Sequence, residues 1–397
     1  VAAISKITSP NDRALIALCD QLREMSIELD RSGNWPAEQL RLCGEYGVYE
    51  WFLDPSWGGR GWNEEQIVRG YLALSAACLT TTFIITQRTG ACRRIAGCDN
   101  EELKQRLLPG LASGDLFATV GISHLTTSRR HLARPVLTAE AISGGFRLDG
   151  MSPWVTGGAA ADALVLAATQ IENGQPTDRQ LLIAVPSGLP GLTVPDPLPL
   201  IGVSASSTGP VHLDGVEVSN EWIIAGPTPN VMASGIGAST GGHETSTLAI
   251  GLAQAAIEYL VGEAARRSDL QAPAAALRAE HSRLLNDLLG VARGDAACNV
   301  VRGSPDPAPV VRGSPDPAPG GSVGRPATTI SKESLRQRAN SLVLRASQAA
   351  LAAAKGSGYV VGHPAGRWCR EALFFLVWSC PQPVAAANLC ELAGIED

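Results

Sequence analysis

The stretch Pro153-Trp154-Val155-Thr156-Gly157-Gly158 follows the alternating run Phe146-Arg147-Leu148-Asp149 and precedes an apolar run at 163–168. On an extended segment, residues two apart project to the same side. Trp154 therefore offers a flat apolar wall, and Thr156 beside it offers a hydroxyl that can donate a hydrogen bond. A flat redox cofactor needs that pair: something to lie against, and a donor for its reactive ring nitrogen. A buried Trp next to a turn Thr in an ordinary β-domain spells the same letters, so the rest of the chain has to decide.

Other reactive-looking clusters fail on spacing. Gly58-Gly59-Arg60-Gly61 has no strand before it and no Lys-Ser/Thr after it, so it is a turn rather than a phosphate loop. His243-Glu244 opens an H-E-x-x-H pattern, but position 247 is Thr, and no metal site is expected. Ser379 adjoins Cys380, yet no base lies in sequence reach and Pro381 follows, which argues against a nucleophile. Arg129, Arg130 and Arg134 form the one local basic cluster, a solvated loop or a seat for a substrate phosphate. The nine Cys include no C-x-x-C pair and are odd in number, which fits reduced thiols in a cytoplasmic protein.

Composition narrows the class. Hydrophobic content of 45% and charged content of 18% over 397 residues describe a globular protein with a large core. A net charge of −6 with dispersed Lys and Arg argues against a nucleic-acid partner. No apolar run reaches membrane-spanning length, and residues 1–10 lack a signal-peptide pattern.

The elements that must position the pair fall into three blocks. Residues 1–115 read as an N-terminal α-helical domain. Asn11-Asp12 caps a helix to about Asp30, with Leu15, Leu18, Leu22 and Met25 on one face; further helices follow at 64–79 and after Asn100. Residues 116–226 read as a middle β domain, a small antiparallel sheet or barrel broken by Gly and Pro. Residues 227–397 read as a C-terminal four-helix bundle, with helices at 244–267, 273–297, 331–355 and 382–392. The chain is thus expected to be mainly α with a central β domain. Inside the last block, VVRGSPDPAP at 300–309 is repeated letter for letter at 310–319. Its Pro, Gly and Ser cannot build a packed core, so 299–329 reads as a disordered insertion from a tandem duplication.

This layout resembles the acyl-CoA dehydrogenase family, and four motifs carry the resemblance in the right order. Pro153 to Gly157 is similar to the family's W-I-T-N-G motif. Residues 202–226, GVSASSTGPVHLDGVEVSNEWIIAG, resemble the signature at the end of its β domain. Gly356-Ser357-Gly358-Tyr359 matches a Gly-rich turn, and Arg367-Trp368-Cys369-Arg370-Glu371-Ala372 a late Arg run. The resemblance implies FAD as cofactor, with Trp154 against the flavin ring and Thr156 hydrogen-bonded to N5. It places Arg267 at the FAD pyrophosphate across a subunit contact, Gly356 in the Gly-rich turn, and Ser123 and Leu125 over the T-E-P segment at the pyrimidine edge. It implies an acyl-CoA-like substrate, an electron-transfer flavoprotein as acceptor, and a homodimer or homotetramer.

The departures bear on the chemistry. The family's late catalytic Glu falls on Ser379, and the Gln of its Q-x-x-G-G turn falls on Ala352. A minority of the family carries its base seven residues before a Gly on another helix, and Glu244 stands at that distance from Gly251. The resemblance thus names Glu244 as the base that removes a proton α to a thioester. A first-turn Glu favoured by the helix dipole accounts for the same residue. Thr245 and Gly242 stand where residues that hold CoA are usual. Two rivals remain: a flavin monooxygenase or oxidase of the same fold, favoured by Ser123 and His124, and a non-catalytic relative, favoured by Ala352, Ser379 and Thr245.

Overall fold

The computed structural model describes residues 5–126, 135–233, 243–294 and 330–395. The Arg129, Arg130 and Arg134 cluster and the 299–329 insertion lie outside them. The first helix, α1 (Arg13–Ser32), starts where Asp12 accepts a hydrogen bond from the Ala14 N–H and stops at Gly33 in the left-handed region. It buries Leu15, Leu18, Leu22 and Leu29. Then come α2 (Ala37–Glu45), α3 (Glu64–Ala77), α4 (Leu79–Ala96) and α5 (Glu101–Ser113). A capping box between Asn63 and Gln66 begins α3, and the Asn100 side chain caps α5 by accepting from the Leu103 N–H. The helix α4 was not expected from the sequence. It is buried nearly all round, its first turn being Leu79-Thr80-Thr81-Thr82, so no polar stripe marks it.

The strands are β1 (Ala118–Gly121), β2 (Leu137–Ile142), β3 (Gly145–Thr156), β4 (Ala163–Glu172), β5 (Gln175–Pro186), β6 (Leu192–Thr193), β7 (Thr208–Ser219) and β8 (Ile223–Pro229). They form one sheet ordered β6-β7-β3-β2-β4-β5-β8, with β1 also on β4. Most pairs are antiparallel, but β1 and β2 both run parallel to β4. The strand β4 is apolar throughout its first half because both faces are covered. Leu164 and Leu166 pack with Leu181 and Ile183 inside the sheet module, while Val165 and Ala167 pack with Ile95 and Leu108 of the helices. Between β1 and β2 sits one helical turn, α6 (Ser123–Thr126).

The second helical block comprises α7 (Glu244–Ala264), α8 (Gln271–Arg293), α9 (Lys332–Ala354), α10 (Pro364–Leu373) and α11 (Gln382–Ala393). Four helices were expected; α10 is the addition. The helix α7 packs so closely on α3 that a Cβ at Gly251 would lie 2.7 Å from the Leu72 carbonyl oxygen. One apolar core runs through α1, α3, α7, α8, α9 and α10, so the two helical blocks share their interior. No described helix is long and apolar enough to cross a membrane.

Candidate active site

A cleft of about 650 Å³ opens where the sheet meets the helices. The helix α4 contributes Phe83 and Gln87, α6 contributes Ser123, and β3 contributes Trp154 and Thr156. The segment leading into β7 contributes residues 200–203 and Thr208, and the far wall is Arg370 of α10 with residues 373, 374 and 376–379. The β3 pairing with β7 slips between Ser152 and Val155, where Pro153 and Trp154 face one residue of β7, a one-residue bulge that contains Trp154. From this bulge the Trp154 ring stands 45% exposed to the cleft, while Thr156 is 3% exposed at its floor. The Thr156 hydroxyl lies 3.0 Å from that of Thr208, which lies 2.8 Å from that of Ser206. Ser123 also faces the cleft, and its Oγ is buried with no hydrogen-bond partner.

The far wall is aromatic. Phe374 and Trp378 stack with centroids 5.1 Å apart and planes 10° from parallel, and Phe83 meets both edge-on at 4.8 and 4.9 Å. The turn that presents them is held from beneath by Arg336 of α9, a residue the sequence reading did not single out. Its Nη2 donates to the carbonyls of Phe375 (3.1 Å) and Trp378 (2.9 Å), and its Nε to Asn340 Oδ1 (2.9 Å). Asn340 Nδ2 donates to the same Phe375 carbonyl at 3.2 Å. Burial brings the Arg336 pKa down to about 10. Ser379 ends the turn at φ 45°, the left-handed region that a non-glycine residue adopts at a cost. Burial raises the pKa of the neighbouring Cys380 thiol, which makes it a poor nucleophile.

Beside this wall, α10 buries Glu371 and Arg367. Arg367 Nε lies 3.7 Å from Glu371 Oε2 and its Nη1 donates to Ser26 Oγ at 2.7 Å, while Thr80 Oγ1 donates to Glu371 Oε1 at 3.4 Å. Burial is the dominant influence on Glu371 and raises its pKa to about 7. The Arg run was visible in the sequence, but nothing there showed that its polar side chains face the interior.

The remaining expected residues do not line the cleft. Glu244 stands in the first turn of α7, 32% exposed, and its Oε1 accepts from Arg93 Nη1 at 3.4 Å. Arg93 also bonds Glu64, whose pKa is lowered first by the nearby His243. Leu125 is half-buried on α6 against the β4 side of the sheet. Arg267 donates to the Ala353 carbonyl at 2.7 Å and to Asp269 at 3.1 Å, which places it at the end of α9 that leads into Gly356. Gly356 is exposed, with open space where a Cβ would sit. His124 turns Nε2 to the Ala167 carbonyl at 2.7 Å and leaves Nδ1 buried without a partner; burial lowers its pKa, which favours the neutral ring. It braces β4 and does not line the cleft.

A family model, acyl-CoA dehydrogenase N-terminal domain, matches residues 16–115. The helices before this sheet and the helices after it complete the same architecture. Over residues 16–115 the chain matches that family's N-terminal domain, and beyond them it is similar to acyl-CoA dehydrogenases in sequence and in fold. A probable acyl-CoA dehydrogenase of Bacillus subtilis (strain 168) is 25% identical over 260 residues, 64% of this chain and 67% of that protein. The chain spans about half to two thirds of the length of most of the curated relatives it matches. Its fold is similar to that of a glutaryl-CoA dehydrogenase solved with glutaryl-CoA: TM-score 0.74, 18% identity, 97% of this chain and 96% of that one. It is also similar to a prolyl acyl carrier protein oxidase: TM-score 0.70, 15% identity, 97% of this chain and all of that one.

A flavin, FAD, is the cofactor of the acyl-CoA dehydrogenase family, and the cleft fits one. It offers a flat exposed indole, a floor hydroxyl, and in Ser123 Oγ a buried polar atom whose hydrogen-bonding capacity nothing in the described protein uses. Leaving such a group unmatched costs about 1–3 kcal/mol, which a polar ligand edge recovers.

Proposed function

We propose that this chain is an FAD-dependent oxidoreductase of the acyl-CoA dehydrogenase type, acting across the Cα–Cβ bond of an acyl-CoA-like thioester. The observation that supports it is the convergence of Trp154, Thr156 and the unpartnered Ser123 Oγ on one cleft between sheet and helices. Bound there, FAD supplies a two-electron acceptor. In this reading Trp154 is the wall for the ring, Thr156 donates to N5, and Ser123 borders the pyrimidine edge with Leu125 behind it on α6. Arg267 and Gly356 serve the pyrophosphate end of a cofactor shared between subunits, which makes the protein a homodimer or homotetramer. Electrons leave to a flavoprotein carrier, and the location is cytoplasmic.

Glu244 is the proposed base. Its carboxylate has to leave Arg93 to reach a thioester α-carbon, so substrate entry and loss of that ion pair are coupled. Anaerobic titration with a panel of acyl-CoAs tests both points. Bleaching of the flavin by a thioester in the wild type, and at least a hundredfold slower bleaching in Glu244→Gln, is expected. No bleaching by any thioester ends the dehydrogenase reading; normal bleaching in the variant ends the role of Glu244.

A second reading, a flavin monooxygenase or oxidase of the same fold, is favoured by one observation. Among the described residues that line the cleft there is no Asp or Glu, and Ser379 holds the position where most dehydrogenases of the family carry their base. Oxygen uptake on reduction of the flavin, without thioester bleaching, selects this reading.

A further inference from the structure

A row of three hydroxyls, Ser206, Thr208 and Thr156, spaced 2.8 and 3.0 Å, leads from the interior to the cleft, which Thr208 and Thr156 line. All are buried: Ser206 is 0%, Thr208 7% and Thr156 3% exposed. Backbone pairing fixes the row, since Thr156 and Thr208 are register partners at the end of β3 and start of β7. The Gly157 N–H also bonds the Ser206 carbonyl at 3.1 Å. A hydroxyl has one proton to donate and two lone pairs to accept with. The row can therefore run in two directions, which are not equivalent, or converge on Thr208, which leaves the Thr208 proton over and forgoes polarisation along the chain.

If Thr156 donates to Thr208 and Thr208 to Ser206, the Ser206 proton needs an acceptor. Among the described residues Ser206 Oγ has no other partner, so that proton is stranded in the interior, which is unfavourable. If Ser206 donates to Thr208 and Thr208 to Thr156, both inner protons are used. The proton left over is that of Thr156, at the open cleft. Of the two directions, the second leaves no buried donor unmatched. Chains of hydrogen bonds also polarise one another, so donation from behind makes the terminal hydroxyl a stronger donor.

We propose that Ser206 and Thr208 are positioning residues that hold the Thr156 hydroxyl as a donor toward the cleft. The proposal rests on the reading that a flavin lies there. The oxidised ring presents an acceptor nitrogen, and the reduced ring presents an N–H at the same place. A hydroxyl held as a donor favours the first and opposes the second, so the row keeps the bound flavin's potential low.

The test uses the full-length chain as wild type, Thr208→Val, Thr208→Ser and Ser206→Ala. Each is titrated with FAD by flavin fluorescence, and the potential of the bound flavin is measured against reference dyes. With FAD bound to the wild type, Thr208→Val lowers the preference for oxidised over reduced flavin about tenfold, a rise of about 30 mV for a two-electron couple. Thr208→Ser keeps the wild-type potential, and Ser206→Ala shifts it the same way by less. An unchanged potential in Thr208→Val overturns the proposal. If that variant does not fold, an unchanged potential in Ser206→Ala does so. A wild type that takes up no flavin overturns the flavin reading, and the proposal with it.

Discussion

Arg336 supplies a test in which the conservative substitution is expected to do more harm. Its guanidinium is buried, and the fall of its pKa to about 10 corresponds to roughly 3 kcal/mol of disfavoured charge. What offsets that cost is the planar fork, which reaches Asn340 Oδ1, the Phe375 carbonyl and the Trp378 carbonyl together. Arg336→Lys keeps a buried charge but loses the fork, and with it at least one charge-assisted bond worth about 1.5–3 kcal/mol. Arg336→Met removes the charge and recovers about 3 kcal/mol. It leaves Asn340 Oδ1 and the Trp378 carbonyl without that donor, at about 1–3 kcal/mol each; the Phe375 carbonyl keeps Asn340. The Met variant is thus expected between about 1 kcal/mol above and 3 kcal/mol below wild type, centred near 1 below, and the Lys variant about 1.5–3 kcal/mol below wild type. Urea unfolding followed by Trp fluorescence reads both, compared by midpoint at constant slope. A Lys variant as stable as wild type, or more stable than the Met variant, refutes the argument that fork geometry rather than charge holds this turn.

The other expectations are simpler to state. Because the Glu371 pKa is raised to about 7, the native state keeps a proton that the unfolded chain releases near 4.5; stability therefore falls as pH rises through that window, by roughly 3 kcal/mol in all. Urea midpoints from pH 4 to 8 should show this decline in wild type and lose it in Glu371→Gln; equal slopes in the two would remove Glu371 as the cause. Trp154→Ala, which removes a ring 45% exposed, should weaken FAD binding about tenfold while leaving the urea midpoint nearly unchanged. A large loss of stability there would make Trp154 a core residue instead of a wall for a ligand.

Local signals in the chain were readable where one residue does one job. Asp12 and Asn100 cap helices because short polar side chains reach free N–H groups, and Trp154 and Thr156 share a side because strands have a period of two. What escaped reading was set by neighbours far away in sequence. The helix α4 shows no amphipathic stripe because it is wrapped on all sides. The helix α10 was hidden because its buried face carries Arg367 and Glu371, which satisfy each other only once α1 and α4 pack around them. The parallel pairing of β1 and β2 with β4 depends on strand order, which alternation does not encode. Arg336 looked like any helical Arg, because its acceptors are main-chain carbonyls 39 and 42 residues further on.

The glycine at 202, just ahead of β7, touches α10 with nothing in between: a Cβ there would come 2.9 Å from the Arg370 carbonyl oxygen. Main chain bears directly on main chain, so the gap between sheet and bundle has a hard lower limit set by two backbones and not by compressible side chains. A residue as small as Ala at this point would act as a shim, prising the two layers apart along the whole slot. The width that a flat guest meets is in this sense machined by the absence of one methyl group.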